Sequence, residues 1–245
     1  MKDLGKMKLK DIILDSLRFS ASDLKVLILL GVVLLVADVA DELSFAGDIS
    51  SYTRIIVFFT IILMAIFEAG YVFRIIEETI HGSTKLPKFN KLYEMFSHGL
   101  NELIVLLVYF LIPLLLLLIF FLNFMYSMDL NDLSGELSVL FIIILVVAGV
   151  IYALFPAVLL HRAHHNGDLK SSFDFKKIYH KIRTVGLKRL VVVYLGIFIM
   201  VAIIKEVLQT SVTGTIPLVG DIISDLLIAP YLLVFTSRVL GLIDN

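Results

Sequence analysis

From Leu103 to Met125 the chain reads LIVLLVYFLIPLLLLLIFFLNFM, without one charged side chain. A helix this apolar on every face has no side to offer to water. About 20 such residues cross the hydrocarbon of a bilayer at a rise of about 1.5 Å each. Comparable runs extend over Leu24–Ala40, which is short and carries Asp38, and over Ile55–Phe73, Leu137–Leu160, Leu190–Val207 and Ile222–Leu242, the last with Pro230 inside it. In lipid the backbone finds no water to bond, so each run must be helical. The sequence therefore predicts an all-α, polytopic integral membrane protein. Its six transmembrane helices form one membrane domain over residues 1–245.

Composition agrees. Hydrophobic residues make up 59% of the 245 and charged residues 18%, with a mean hydropathy of +0.98. A soluble core of this length cannot cover that much apolar surface. Cysteine is absent, which removes disulfides, thiolate catalysis and cysteine metal sites. The net charge of −1 offers no field for nucleic acid. Without tryptophan, an interfacial aromatic belt has to come from the 9 tyrosines, helped by phenylalanine. The opening MKDLGKMKLK is basic, but an amphipathic stretch follows it and no small-residue cleavage site, so the first span is expected to be retained. The loops are short and leave no room for a soluble domain.

Cations set the expected orientation. With the N-terminus inside, all of the 21 lysines and arginines except Arg54 and Lys205 fall on inner segments. The outer loops are acidic: DVADELSFAGD, SMDLNDLSGE, and Asp221 with Asp225. Both termini are then cytoplasmic, in a cell membrane.

Three inner segments, KLKDIILDSLRF, KFNKLYEMFSH and DFKKIYHKIRT, each precede an outward span. In the last, Phe175, Ile178, Tyr179, Ile182 and Val185 recur at helical spacing with lysines on other faces. That pattern predicts amphipathic helices lying at the inner interface. Three tandem units follow, roughly 8–82, 86–167 and 173–245. Each returning span has a helix perturber, Gly70, Pro156 or Pro230, and then an arginine, Arg74, Arg162 or Arg238.

HRAHH offers His161, His164 and His165 at i, i+3, i+4, a spacing that can hold a metal. A di-iron centre of the desaturase type needs about eight histidines, because each iron takes several nitrogens. This chain has 6, with His81, His98 and His180 scattered singly. The simpler reading places these histidines at headgroup level beside a helix C-terminus. Glu68, deep in the second span, is a candidate for an ion or solute pathway together with Arg74 and Arg238. The plainer alternative pairs Glu68 with Arg238, Arg162 or a tyrosine hydroxyl. Asp221 and Asp225 read as capping the last span, with Lys205 and Glu206 as partners. Lys176, Lys177, Lys181 and Arg183 read as contacts for anionic lipid headgroups.

No Walker loop, dinucleotide fingerprint, nucleophile elbow or H-E-x-x-H is present. The expected function is non-enzymatic and needs no cofactor: a multi-pass protein that packs with or organises lipid or partner membrane proteins. A small-solute transporter or channel using Glu68 is the alternative, and a metalloenzyme built on HRAHH a minor one.

RIIEETIHGSTKLPKF, GLNELIVLLVYFLIP, IPLVGDII and APYLLVFTSR together resemble archaeal membrane proteins of the domain-of-unknown-function family 4013. The turn Gly82, Leu86, Pro87, Phe89 is the most recognisable part, and the resemblance covers nearly the whole chain. The second unit departs from it, with Ser172 where Leu-Pro is expected. The resemblance implies a multi-span protein of the archaeal cytoplasmic membrane and no particular activity.

Overall fold

The computed structural model describes residues 8–47, 49–127, 135–208, 220 and 222–244. Most of SMDLNDLSGE, residues 209–219, Asp221 and the side chain of Lys205 lie outside the described residues. Among those described every regular element is helical. The helices are α1 (Leu9–Ser20), α2 (Leu24–Ser44), α3 (Ser51–Ile80), α4 (Leu92–Ser127), α5 (Gly135–Ala163), α6 (Phe175–Val185), α7 (Leu187–Leu208) and α8 (Ala229–Ile243). A short 3-10 turn, Leu169–Phe173, precedes α6, and a wide π turn, Ser224–Ile228, feeds into α8.

Helix starts follow local chemistry. Asp23 accepts from the Lys25 and Val26 amides, Ser50 from Thr53, and Asp174 from Lys177. Each satisfies donors that a first helical turn leaves free.

Among the described residues four helices are long and apolar enough to cross a membrane: Ser51–Ile80, Leu92–Met125, Ser138–Ala163 and Ser224–Ile243. The last is packed inside the bundle, with 61% of its apolar stretch buried, whereas only 6% is buried in Ser138–Ala163. The outward faces of α4 and α5 expose Leu107, Leu111, Leu118, Ile142 and Val146. Contiguous apolar surface on that scale calls for lipid. Neither the predicted fifth span, within α7, nor the predicted first, within α2, is one of the four. Lys25 at one end and Asp38, Asp41 and Glu42 at the other interrupt the apolar length of α2.

α3 packs along α2 on one side and α4 on another, and α8 lies against α1 and α3. Two glycines set the α3–α4 crossing. A Cβ on Gly70 would sit 1.8 Å from the Met95 carbonyl oxygen, and one on Gly99 would sit 1.8 Å from that of Ile66. The two backbones touch at both points. Gly70 is thus a contact residue and not the helix perturber expected from its position. Gly99 has the same role, so the expected second interfacial helix does not exist as a separate element. Of KFNKLYEMFSH, residues 88–91 precede the helix and residues 92–98 run into the apolar span as the first turns of a continuous α4.

Pro230 acts at a helix start. It lacks an N–H, so the Leu226 carbonyl has no i+4 donor. The backbone widens there into the π turn, closed by the Ala229 N–H donating to Ser224. Gly31 of α2 lies directly against that turn, where a Cβ would stand 2.4 Å from the Leu226 oxygen. Pro156 and Pro113 both stay inside their helices, α5 and α4.

Gly70→Ala forces a methyl into backbone and is expected to destabilise by about 1–3 kcal/mol, the usual range for overpacking. Gly149→Ala, which meets nothing within 4 Å, serves as the control. Thermal unfolding in mild detergent should lower the melting temperature of the first variant and leave the second within a degree or so of the parent. Equal melting temperatures would remove the crossing from the account of the fold.

Candidate functional site at the cationic end

One end of the bundle gathers α1, the C-terminal ends of α3, α5 and α8, the start of α4, and α6. Three arginines do most of the joining. Arg162 is fully buried. Its guanidinium donates to Glu102 of α4, and its Nε donates to the Gly167 carbonyl at 3.1 Å. Its Cζ stands 4.3 Å over the Phe73 ring. The arginine's own carbonyl accepts the Gly167 amide at 3.1 Å. This double link needs the left-handed backbone of Asn166 and Gly167, at φ 51° and 75°. A side chain at Gly167 would strike His98, whose ring stacks on Phe73.

Arg238 makes the corresponding joint for α8. Its Nε donates to Asp15 of α1 at 2.9 Å, and NH1 donates to the Thr79 hydroxyl at 3.2 Å and to the Ser83 carbonyl at 2.6 Å. Its Cζ lies 4.2 Å over Phe19. Arg74 pairs with Glu78 at 3.2 Å and donates to the Lys88 carbonyl at 3.0 Å. Tyr71 donates to the Pro87 carbonyl at 2.8 Å. The Gly82-to-Phe89 turn is thus held from three sides, and Gly82 takes the positive φ of 83° that its type permits.

The sequence-predicted pathway residues are not brought together. Arg74 and Arg238 converge on the turn after α3, each with its own carboxylate. Glu68 is partly buried, and among the described residues no hydrogen bond or ion pair reaches it. The expected pairing of Glu68 with Arg238 or Arg162 gives way to Asp15 and Glu102. Two apolar cavities lie between the helices. One of about 520 Å³ lies between α1, α2, α7 and α8, and one of about 540 Å³ between α3, α4 and α5. Glu68 lines neither, whereas Glu102 lines the second.

The three histidines of HRAHH divide. His164 turns to Asp244, which also accepts from Lys181 at 2.6 Å. His165 donates from Nδ1 to the His161 carbonyl at 2.9 Å, and the His161 and His165 rings lie 4.4 Å apart. Among the described residues no three His, Cys, Asp or Glu side chains gather as metal ligands.

On α6, Ile178 and Val185 are buried in the bundle while Phe175 and Tyr179 stay exposed, so the predicted apolar stripe is shared between protein and surroundings. Lys177 bonds Asp174 at 2.9 Å. That side-chain bond, with the Lys177 amide, holds the Asp174 carboxyl below its ordinary range. Sequence reasoning missed Glu102, Asp15 and Asp244 as partners. Glu102 sits one residue before the apolar run begins, and its signal was depth. It enters α4 at the level where Arg162 leaves α5.

Removing one member of the buried pair strands the other charge, which costs about 3–5 kcal/mol. Arg162→Ala is expected to lose stability on that scale. Arg162→Leu combined with Glu102→Leu should recover part of it, because no charge is then left alone. Thermal unfolding of the single and double variants measures the difference. A double variant no better than the single one would show that Glu102 is not the residue that requires Arg162.

No curated protein and no solved structure matches the chain. The family described as "Protein of unknown function (DUF4013)" matches residues 54–215. IPLVGDII and APYLLVFTSR lie beyond that span. The match takes in α3 to α7 with the arginine-held turns at Gly82 and Gly167, and the chain belongs to this family.

Proposed function

We propose that this protein is a six-span, non-enzymatic component of the cell membrane. Its cationic end lies in the cytoplasm, where it binds anionic lipid and organises lipid or partner membrane proteins. The observation that supports this most is the gathering of basic helix ends at one end of the bundle. The arginines there are spent on internal carboxylates and carbonyls, while the exposed lysines of α6 face outward. Exposed aromatics mark both levels of the bundle, Phe45 and Tyr52 at one end, Tyr93 and Tyr179 at the other. Such residues favour headgroup depth. α2 and α7 supply the two further spans, and α1 and α6 the interfacial helices. The tandem units 8–82, 86–167 and 173–245 draw support from the arginine near the end of each returning span: Arg74, Arg162 and Arg238 each pair with a carboxylate and donate to a backbone carbonyl of a turn.

A second reading rests on Glu68, a carboxylate inside an apolar helix without a partner among the described residues. Such a group in lipid is costly and suggests a pathway for an ion or small solute. Flux into proteoliposomes should fall with Glu68→Gln if it serves transport, and equal flux removes it.

Because cysteine is absent, an introduced thiol is unique. With a membrane-impermeant maleimide, Gly47→Cys and Ser134→Cys are expected to label in intact cells, and Lys85→Cys only after permeabilisation. The reverse pattern overturns the orientation. Labelling of Ser134→Cys without Gly47→Cys overturns the count of six.

A further inference from the structure

α6 and the end of α5 border an open groove of about 790 Å³, half of whose lining residues are lysine or arginine. Lys177 and Lys181 reach it but are already paired with Asp174 and Asp244. Lys176, His180 and Arg183 also line it and have no carboxylate partner among the described residues. Arg183 is instead steadied over the Tyr179 ring, with Cζ 4.9 Å from its centre. Its guanidinium edge stays available.

At the α5 side the groove is bordered by His161. This residue is only 6% exposed, and its Nε2 has no hydrogen-bond partner among the described residues. Buried polar nitrogens are nearly always satisfied, so an orphan among cations suggests a missing acceptor. An acceptor that also draws Lys176, His180 and Arg183 carries negative charge and several oxygens. Phosphate fits that description.

We infer that this groove is a phosphate-binding site, in which His161 Nε2 and a His180 ring N–H donate to phosphate oxygens while Lys176 and Arg183 neutralise the charge. The phosphate arrives on an anionic lipid headgroup or free in solution. The exposed Phe175 and Tyr179 on the same helix give a lipid somewhere to lay its chains, which a free ion does not use. The inference rests on the membrane reading above and adds a ligand class and a donor to it.

The test uses the full chain purified in mild detergent. Its retention in membranes after alkaline washing is checked first, and release there would sink the membrane reading itself. Native mass spectrometry then follows binding of phosphatidic acid, phosphatidylglycerol and phosphatidylcholine with the same chains, and separately of inorganic phosphate. Each surface cation is worth about fivefold in affinity. Lys176→Ala with Arg183→Ala should therefore weaken binding roughly 25-fold, and both positions are exposed, so folding is spared. His161→Leu should weaken it at least about tenfold, as for a lost bond to a charged group. His161→Gln, which keeps an N–H, should restore part of that. Preference for the anionic lipids over phosphatidylcholine identifies the source as lipid. Saturable inorganic phosphate, lost in the same variants, identifies it as the free ion. Unchanged binding in the double-alanine variant, or no difference between His161→Leu and His161→Gln, overturns the proposal while the membrane reading stands.

Discussion

A guanidinium that leaves water must find acceptors inside the protein, and the cationic end is built around that demand. Arg162 has Glu102 and the Gly167 carbonyl. Arg238 has Asp15, Thr79 and Ser83. Each set comes from at least two elements that do not adjoin in sequence. The acceptors of these two side chains therefore fix how α1, α3, α4, α5 and α8 meet. Hydrophobic packing alone would not do this between lipid-embedded helices, because a lipid tail is as apolar as a leucine.

The membrane-crossing helices could be read from residues alone because length and uniform hydropathy decide them. α3, α4, α5 and the helix ending in α8 lie where the apolar runs predict. The interior partners could not be read that way. Glu102 lies 60 residues from Arg162, and Asp15 lies 223 from Arg238. No periodicity links positions so distant. Glycine was the other blind spot. Gly70 looks like a break in a helical pattern, yet in the folded chain it and Gly99 are where the α3 and α4 backbones touch. A glycine read singly does not show whether it weakens a helix or lets another approach.

Gly31 against the π turn repeats the lesson with a different cause. The turn exists because Pro230 cannot donate, and the turn's carbonyl edge then demands a neighbour without a side chain. Proline in one helix and glycine in another are two halves of one contact. Small residues at such crossings let backbones approach and gain dispersion along their length.

α4 has 36 residues and is therefore about 54 Å long at an ordinary helical rise, against a hydrocarbon thickness of about 30 Å. Its apolar stretch fills the oil, and the remainder projects rigidly as an arm bearing Met95 and His98. A bilayer that thins makes such a helix lean. A lean of about 5° about its middle carries Met95 sideways by roughly 2 Å, from the helical rise alone. Met95 and His98 touch α3 at Gly70 and the Gly167 turn, so the tilt of α4 and the placing of the turn beside the basic surface are set by the same contacts.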